Sequence, residues 1–438
     1  MSPLPKTATA PFCPSEVRGS VFIPAGASSW KKWLLIWGPG LLVSIGYIDP
    51  GNWATDIAAG TKYGYDLLFV VLLSSLAAIF LQAISARVGI VTGKDIASLS
   101  REFFPRRLNI AFWLFAEVAI VACDIAEVLG AGLAFHLLLG CSLAVGILIT
   151  ILDTVIVLGL QGRGFRQIEA IILGLFLTVG ICLGFELYLA GPHWLEVARH
   201  LAPSIKALHG PERLYLAVGI IGATVMPHNL YLHSSIVQTR KFAAGKNTEK
   251  EIVRLNVVDT VLALSVAFLI NAAILILAAS AFYESDIGLH VNGIEDAYKL
   301  LAPALGSTAA MYAFGIALLA SGQSATFTGT IAGQVILEGY MKLQIPCWAR
   351  RIITRGLALI PALGGVLLMG DGALNKLMVL SQVVLGLQLP FVIYPLLRFA
   401  GSRKLMGSFA SGYFEAGCAW LLFALITGCN IWLLVQII

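Results

Sequence analysis

Long apolar stretches alternate with short polar gaps along almost the whole chain. They fall at roughly 33–60, 66–92, 109–139, 142–161, 167–190, 214–238, 255–283, 305–338, 346–369, 373–399 and 415–438. A helix needs about 20 apolar residues to cross the hydrocarbon core of a bilayer, and each stretch meets or approaches that length. The pattern predicts an all-α integral membrane protein with eleven transmembrane helices. Placing the N-terminus in the cytoplasm puts only Lys62, Arg199, Lys206, Arg213, Lys299 and Lys376 of the 29 Lys and Arg on the far side. Basic residues concentrate on the cytoplasmic side of membrane proteins, so this orientation is expected, with the C-terminus extracytoplasmic.

Two of the apolar stretches are interrupted. IGYIDPGNWATD breaks the first and IIGATVMPHNLYLHSS breaks the sixth. Aligning Asp49 with Met226 brings Pro50 onto Pro227, Asn52 onto Asn229 and Gly46 onto Ala223. Each break therefore opens a half of five spans. An odd number of spans per half sends the second copy into the membrane from the opposite side, giving an inverted repeat. Interrupted spans at corresponding places in two halves point to a transporter's site near the midplane. The expected organisation is a disordered cytoplasmic tail at 1–30, a first repeat at 31–191 and an extracytoplasmic loop at 192–213. A second repeat at 214–400 follows, then a loop and last span at 401–438.

The prolines say what the breaks provide. A helical N–H bonds the carbonyl four residues back, and proline has no N–H. Pro50 therefore strands the carbonyl of Gly46, and Pro227 that of Ala223, with Gly51 loosening the first break further. A bare carbonyl is tolerated at membrane depth only where it lines a cavity or is buried in protein. Around these oxygens the sequence sets the Asp49 carboxylate, the Asn52 amide and the Met226 thioether. That mixture suits a divalent cation, and the sulfur narrows the choice. Mg²⁺ and Ca²⁺ prefer oxygen alone, whereas a thioether suits softer transition metals. Mn²⁺ and Fe²⁺ fit such a site, and Cd²⁺ and Co²⁺ suit the same ligands.

Composition agrees with a lipid-facing chain. Hydrophobic residues make up 58% and charged residues 12% of the 438, about half the charge of a soluble domain. The N-terminal 20 residues lack the basic and apolar regions of a signal peptide. The net charge of +5 sits in loops beside spans and does not suggest nucleic-acid binding. Seven cysteines without paired spacing indicate neither a disulfide framework nor a zinc site. No permanent cofactor is expected, and the partners are the transported ion, protons and the lipid bilayer, with a monomer sufficient for all of these.

DPGN at 49–52, MPH at 226–228 and GQSATFTGTIAGQ at 322–334 together resemble the Nramp family of proton-coupled divalent metal transporters. The likeness runs from the GPG at 38–40 through the last span. It implies a LeuT-like fold of two inverted five-helix repeats with broken helices 1 and 6. It also implies a metal site formed by Asp49, Asn52, Met226 and the carbonyls of Gly46 and Ala223, with Gln382 of span 10 joining in some conformations. Many relatives carry Ala at the place of Gly46, so glycine here is a departure expected to loosen the helix. A Mg²⁺-transporting branch lacks the methionine, and Met226 argues against that branch.

Glu117, Asp124 and Glu127 share one face of span 3, because residues three, four and seven apart align on a helix. Intramembrane acids face the protein interior or a water path. His228 and His233, on the span-6 break and just beyond it, are natural partners for them, because histidine titrates near neutrality. The expected proton route leads from Asp49 through Glu127 or His228 toward Asp124, with His233 a further candidate or a packed core histidine. Glu117 lies toward the cytoplasmic end of span 3 with Arg240, Arg350 and Arg351, and the resemblance implies that these form an inner-gate ion-pair network; the alternative is that the arginines only enforce topology. Asp56 reads as a cation-gathering group at the outer mouth or an ordinary solvated charge. Asp153 and Asp259 have no role from sequence. Gln323, Ser324, Thr326, Thr328 and Thr330 either line a polar path or pack helices. The expected activity is import of Mn²⁺ or Fe²⁺ with protons by alternating access, in a bacterial cell membrane. The rivals are a Mg²⁺ transporter of the same fold and a non-transporting metal sensor. An intramembrane metallohydrolase is disfavoured, because HNLYLH is not HExxH.

Overall fold

The computed structural model describes residues 18–24, 29–152, 165–242, 248–283, 285, 290–291, 293–343, 345, 347–369 and 372–437. It is almost wholly helical. Strand β1 (Val21–Ile23) leads into helices α1 (Ser29–Ile36), α2 (Pro39–Gly46) and α3 (Pro50–Tyr63). Next come α4 (Leu68–Thr92), α5 (Ile96–Phe103), the long α6 (Arg106–Leu139), α7 (Leu143–Ile149), α8 (Phe165–Ala190) and α9 (Trp194–Arg199). The second half holds α10 (Pro211–Val225), α11 (Pro227–Ile236), β2 (Arg240–Phe242), α12 (Thr248–Phe282) and α13 (Ile294–Leu305). It closes with α14 (Thr308–Met341), α15 (Cys347–Met369), α16 (Gly372–Ala400), α17 (Arg403–Met406) and α18 (Tyr413–Ile437).

Among the described residues, seven helical segments are long and apolar enough to cross a membrane. Their burial sorts them into layers. The Pro211–Thr239 segment is 89% buried and forms the centre, whereas Tyr413–Val435 is 22% buried and lies at the periphery. Outward-facing leucines and isoleucines such as Ile181, Leu269, Leu367 and Leu421 are exposed. An apolar exterior of this extent is the face a protein shows to lipid. The interior is the more polar part, with Asp49, Asn52, Glu127, His228, Asn271 and Gln382 all buried.

Small residues let the central helices touch. A Cβ on Gly130 of α6 would run into the Pro50 ring at the start of α3. One on Gly222 of α10 would meet the Gln382 carbonyl of α16, and one on Gly89 of α4 the Ser234 carbonyl of α11. These glycines set how closely α6, α10 and α4 approach the residues around positions 50 and 226.

Two expectations change here. The tail, read as disordered through residue 30, instead carries β1, which pairs in parallel with β2 in the register Val21↔Arg240, Phe22↔Lys241, Ile23↔Phe242. The apolar Val21 and Ile23 are buried by the pairing, and the Gly19 N–H donates to the Gln238 carbonyl at 3.0 Å. Gly306, in the left-handed conformation, ends α13, so α14 begins at Thr308 and not at 305. Residues 1–17, and Asp153 with the rest of the fourth predicted span from 153 on, lie outside the described residues.

Candidate metal site

Pro50 and Pro227 each occupy the first turn of a helix, where a missing N–H costs nothing. The residue before each is the helix N-cap: Asp49 for α3 and Met226 for α11. Asp49 caps in the usual way, its side chain accepting from the Asn52 N–H at 3.0 Å and the Gly51 N–H at 3.2 Å. Methionine cannot cap, and Met226 is held at φ 35°, ψ 100°. A non-glycine residue in that region costs on the order of 1–3 kcal/mol and persists only when the surroundings enforce it.

The Asn52 side chain ties the two sequence breaks together. Its Nδ2 donates to Asp49 Oδ1 at 2.7 Å, to the Tyr47 carbonyl at 3.0 Å and to the Ala223 carbonyl at 3.1 Å. Three oxygens, one of them anionic and one from the other break, thus converge on a single point. Gln382 Nε2 reaches Asp49 Oδ2 from α16 at 3.5 Å, and a Cβ on Gly51 would overlap that amide. Met226 Sδ accepts from Asn229 Nδ2 at 3.4 Å. Asp49, Asn52, Ala223, Met226 and Gln382 are all buried. The Asn229, Gln382 and Asn271 carbonyl oxygens are buried without a donor. No group of three or more His, Cys, Asp or Glu side chains is placed to hold a metal ion among the described residues, so any cation held here meets amides, carbonyls and a thioether beside one carboxylate.

Gly46 is not a simple loosening of the helix. A Cβ there would collide with the Asn229 amide, so glycine at 46 makes room for the residue that orients the Met226 sulfur.

The structure adds residues that the sequence alone did not single out. Asn271 of α12 donates to the Tyr47 carbonyl at 2.7 Å. Gln82 of α4 donates to the Tyr47 hydroxyl at 2.8 Å and meets His233 Nδ1 at 2.9 Å through its carbonyl. His233 is thereby joined to Gln82 and Tyr47 and bonds none of the expected acids. A second chain of contacts runs from His228 Nε2 to Cys123 Sγ at 3.8 Å and from that thiol to Glu127 Oε1 at 3.6 Å. Glu127 also accepts from Thr326 at 3.2 Å and lies 3.7 Å from the Arg355 guanidinium. Arg355 is thus the counter-ion that the sequence reading lacked; its only sequence signal was a third arginine one turn beyond Arg350 and Arg351. Asp124 is buried; Gly329 of α14 closely faces the Glu127 carboxylate, with Asp124 Oδ1 in ordinary contact beside it. Of the hydroxyl cluster, Ser324, Thr328 and Thr330 donate to carbonyls of their own helix, and Thr326 to Glu127.

The expected inner network divides into two. Glu117 pairs with Arg350 through both carboxylate oxygens at 2.9 Å. Arg240 instead pairs with Glu169 of α8 at 2.6 Å and donates to the carbonyls of Trp37 and Leu35. Glu169 was hidden because it opens an apolar run. A Cβ on Gly38 would fall on this ion pair, and Gly38 has φ 143°. Asp259, without a role from sequence, accepts from the Gly40 N–H at 2.8 Å in the first turn of α2, where a carboxylate also meets the positive end of the helix dipole. The Arg351 side chain lies outside the described residues. Asp56 is 1% exposed and is not a solvated charge.

Residues 40–436 match the family model described as natural resistance-associated macrophage protein-like (Nramp). The chain is 59% identical over 435 residues to the divalent metal cation transporter MntH of Ralstonia nicotianae, covering 99% of this chain and 98% of that one. It is 57% identical to MntH 1 of Pseudomonas aeruginosa, covering 98% of each. A crystal structure of the manganese transporter of Eremococcus coleocola superposes with a TM-score of 0.86 at 39% identity, over 95% of this chain and 89% of that one. At the level of fold alone, the nucleobase-cation-symport-1 transporter Mhp1 matches with a TM-score of 0.60 at 14% identity, over 99% and 94% of the two chains. The family model and the relatives together cover nearly the whole chain, and it is a member of the Nramp family of membrane transporters.

Proposed function

We propose that this protein imports divalent transition-metal ions, Mn²⁺ or Fe²⁺, together with protons. One observation carries the reading. The Asn52 N–H group bridges Asp49 Oδ1 and the carbonyls of Tyr47 and Ala223, an oxygen set that a cation would take in its place. Rotation of that amide would turn its own oxygen inward and complete the exchange of a donor for a metal. Asp49, Asn52, Met226, Gln382 and the carbonyls at Gly46 and Ala223 then form the metal site. The Met226 thioether favours a transition-metal ion, softer than Mg²⁺, over Mg²⁺ itself. The relatives named as metal cation and manganese transporters support the same substrate class.

In this reading α2 and α3 are one interrupted first span and α10 and α11 an interrupted sixth. The whole comprises eleven spans in two inverted five-helix repeats, 31–191 and 214–400, with the N-terminus cytoplasmic. The site is buried from both sides, so each turnover needs alternating access. The Glu169–Arg240 and Glu117–Arg350 pairs close the cytoplasmic end. Asp49 is both ligand and proton site: metal binding requires its deprotonated form, so it releases its proton as the ion binds and takes one up as the ion leaves. His228, Cys123 and Glu127, with Asp124 beside them, give the proton a polar route away from it.

The test is uptake of Mn²⁺ into proteoliposomes loaded with a pH-sensitive dye. The wild type should acidify the lumen as Mn²⁺ enters, and Asp49→Asn should do neither. Metal entry in the wild type with no pH change would refute the coupling.

A further inference from the structure

A cavity of about 450 Å³ lies between the ends of α5, α16 and α18, away from the central site. Its walls include Phe103, Arg398, Ser402, Leu405 and Trp420. Arg398 is exposed and is its sole charged lining residue; no carboxylate lines it. The acids nearby in sequence are committed elsewhere: Glu415 pairs with Arg87 at 2.6 Å and Glu102 with Lys94 at 2.7 Å. Among the described residues Arg398 forms no ion pair, and the Ser402 hydroxyl makes no capping bond. The carbonyls that end α16 would repel an anion if bare. Those of Leu397, Phe399 and Ala400 instead accept from the N–H groups of Gly401, Ser402 and Ser411. The rest of the cavity is aromatic and aliphatic, and it opens beside the lipid-facing side of α18, where Trp420 and Leu421 are exposed.

A pocket with one uncompensated guanidinium, a hydroxyl donor and an apolar wall facing the bilayer has the chemistry of a lipid headgroup site. Basic pockets between transmembrane helices on the cytoplasmic side bind anionic headgroups, and tryptophan settles at that depth. We propose that this cavity holds the phosphate of an anionic phospholipid. Arg398 and Ser402 meet the phosphate oxygens, and the acyl chains run along Leu405 and Trp420. The site is independent of metal transport and tested by a different readout.

The experiment titrates phosphatidylglycerol into the full-length protein in detergent and follows the thermal unfolding midpoint. Phosphatidylcholine and glycerol 3-phosphate are run in parallel. Phosphatidylglycerol should raise the wild-type midpoint saturably and phosphatidylcholine should not. Arg398→Gln should need about fivefold more lipid, the value of one basic residue near an anionic surface. Arg403→Gln, an exposed cation outside the cavity, should titrate like wild type. Arg398→Lys keeps the charge and checks that any loss is not misfolding. The proposal is overturned if Arg398→Gln titrates like wild type or Arg403→Gln weakens binding equally, which means diffuse charge. It is also overturned if glycerol 3-phosphate alone reproduces the shift, which means a soluble-anion site.

Discussion

Glu169→Gln isolates what holds α2 in place. In the wild type, the Arg240 guanidinium meets the Glu169 carboxylate at 2.6 Å, with the two side chains 2% and 6% exposed. It also donates to the Thr239 hydroxyl at 2.8 Å and to the Trp37 carbonyl at 3.0 Å, just before α2. Removing one partner of a buried ion pair costs about 3–5 kcal/mol, because the remaining charge stays desolvated. Gln keeps a neutral acceptor, so the lower end applies. A loss of about 3 kcal/mol shifts an equilibrium by about 100-fold. If the pair is intact only while the cytoplasmic end is closed, that cost falls on the closed state alone. Amide hydrogen exchange in nanodiscs should then speed up by about two orders of magnitude over Leu41–Gly46, while Leu264–Ala278 of α12 serves as the reference. Replacing both partners by apolar residues of similar size, Glu169→Leu with Arg240→Met, removes the stranded charge and should restore slow exchange. Unchanged exchange in Glu169→Gln would refute the reasoning, as would a double variant that opens as far as the single one.

The glycines give two sharper tests. Gly38→Ala places a methyl on the same ion pair in a backbone conformation that side chains rarely adopt; it should reproduce the faster exchange of α2 and reduce uptake in proteoliposomes. Gly130→Ala drives a methyl into the rigid Pro50 ring. Overpacking of this kind costs about 1–3 kcal/mol, so the unfolding midpoint should fall and Mn²⁺ affinity should weaken as Asp49, next to Pro50, is displaced. Unaltered Mn²⁺ affinity in Gly130→Ala would show that α6 does not fix the position of Asp49.

The sequence made most helices legible because lipid-facing spans need long apolar runs, and Pro50 and Pro227 mark where new helices begin. Asp49, Asn52 and Ala223 were likewise readable from the two symmetric prolines. Of the two carbonyls the prolines strand, that of Ala223 is the one Asn52 joins, whereas at the first break Asn52 takes the Tyr47 carbonyl, one residue beyond the Gly46 oxygen that Pro50 points to. What escaped were partners from distant segments. Asn271, Gln82, Glu169 and Arg355 are single polar residues in apolar stretches, and no local spacing says which neighbour each will face. The β1 strand escaped for the same reason, being three residues long with a partner more than 200 positions away. The division of the inner network into Glu117–Arg350 and Glu169–Arg240 depends on the packing of α8 against α2, which periodicity does not encode.

The central claim is that Met226 makes the site selective for transition-metal ions, which are softer than Mg²⁺ and Ca²⁺. The most direct measurement is Mn²⁺ uptake into proteoliposomes under an imposed pH gradient, comparing wild type with Met226→Ala in excess Ca²⁺ or Mg²⁺. The account predicts that wild-type uptake ignores both hard ions and that they block the variant. Equal inhibition of both proteins by Mg²⁺ would contradict it and mark this chain as a hard-cation transporter.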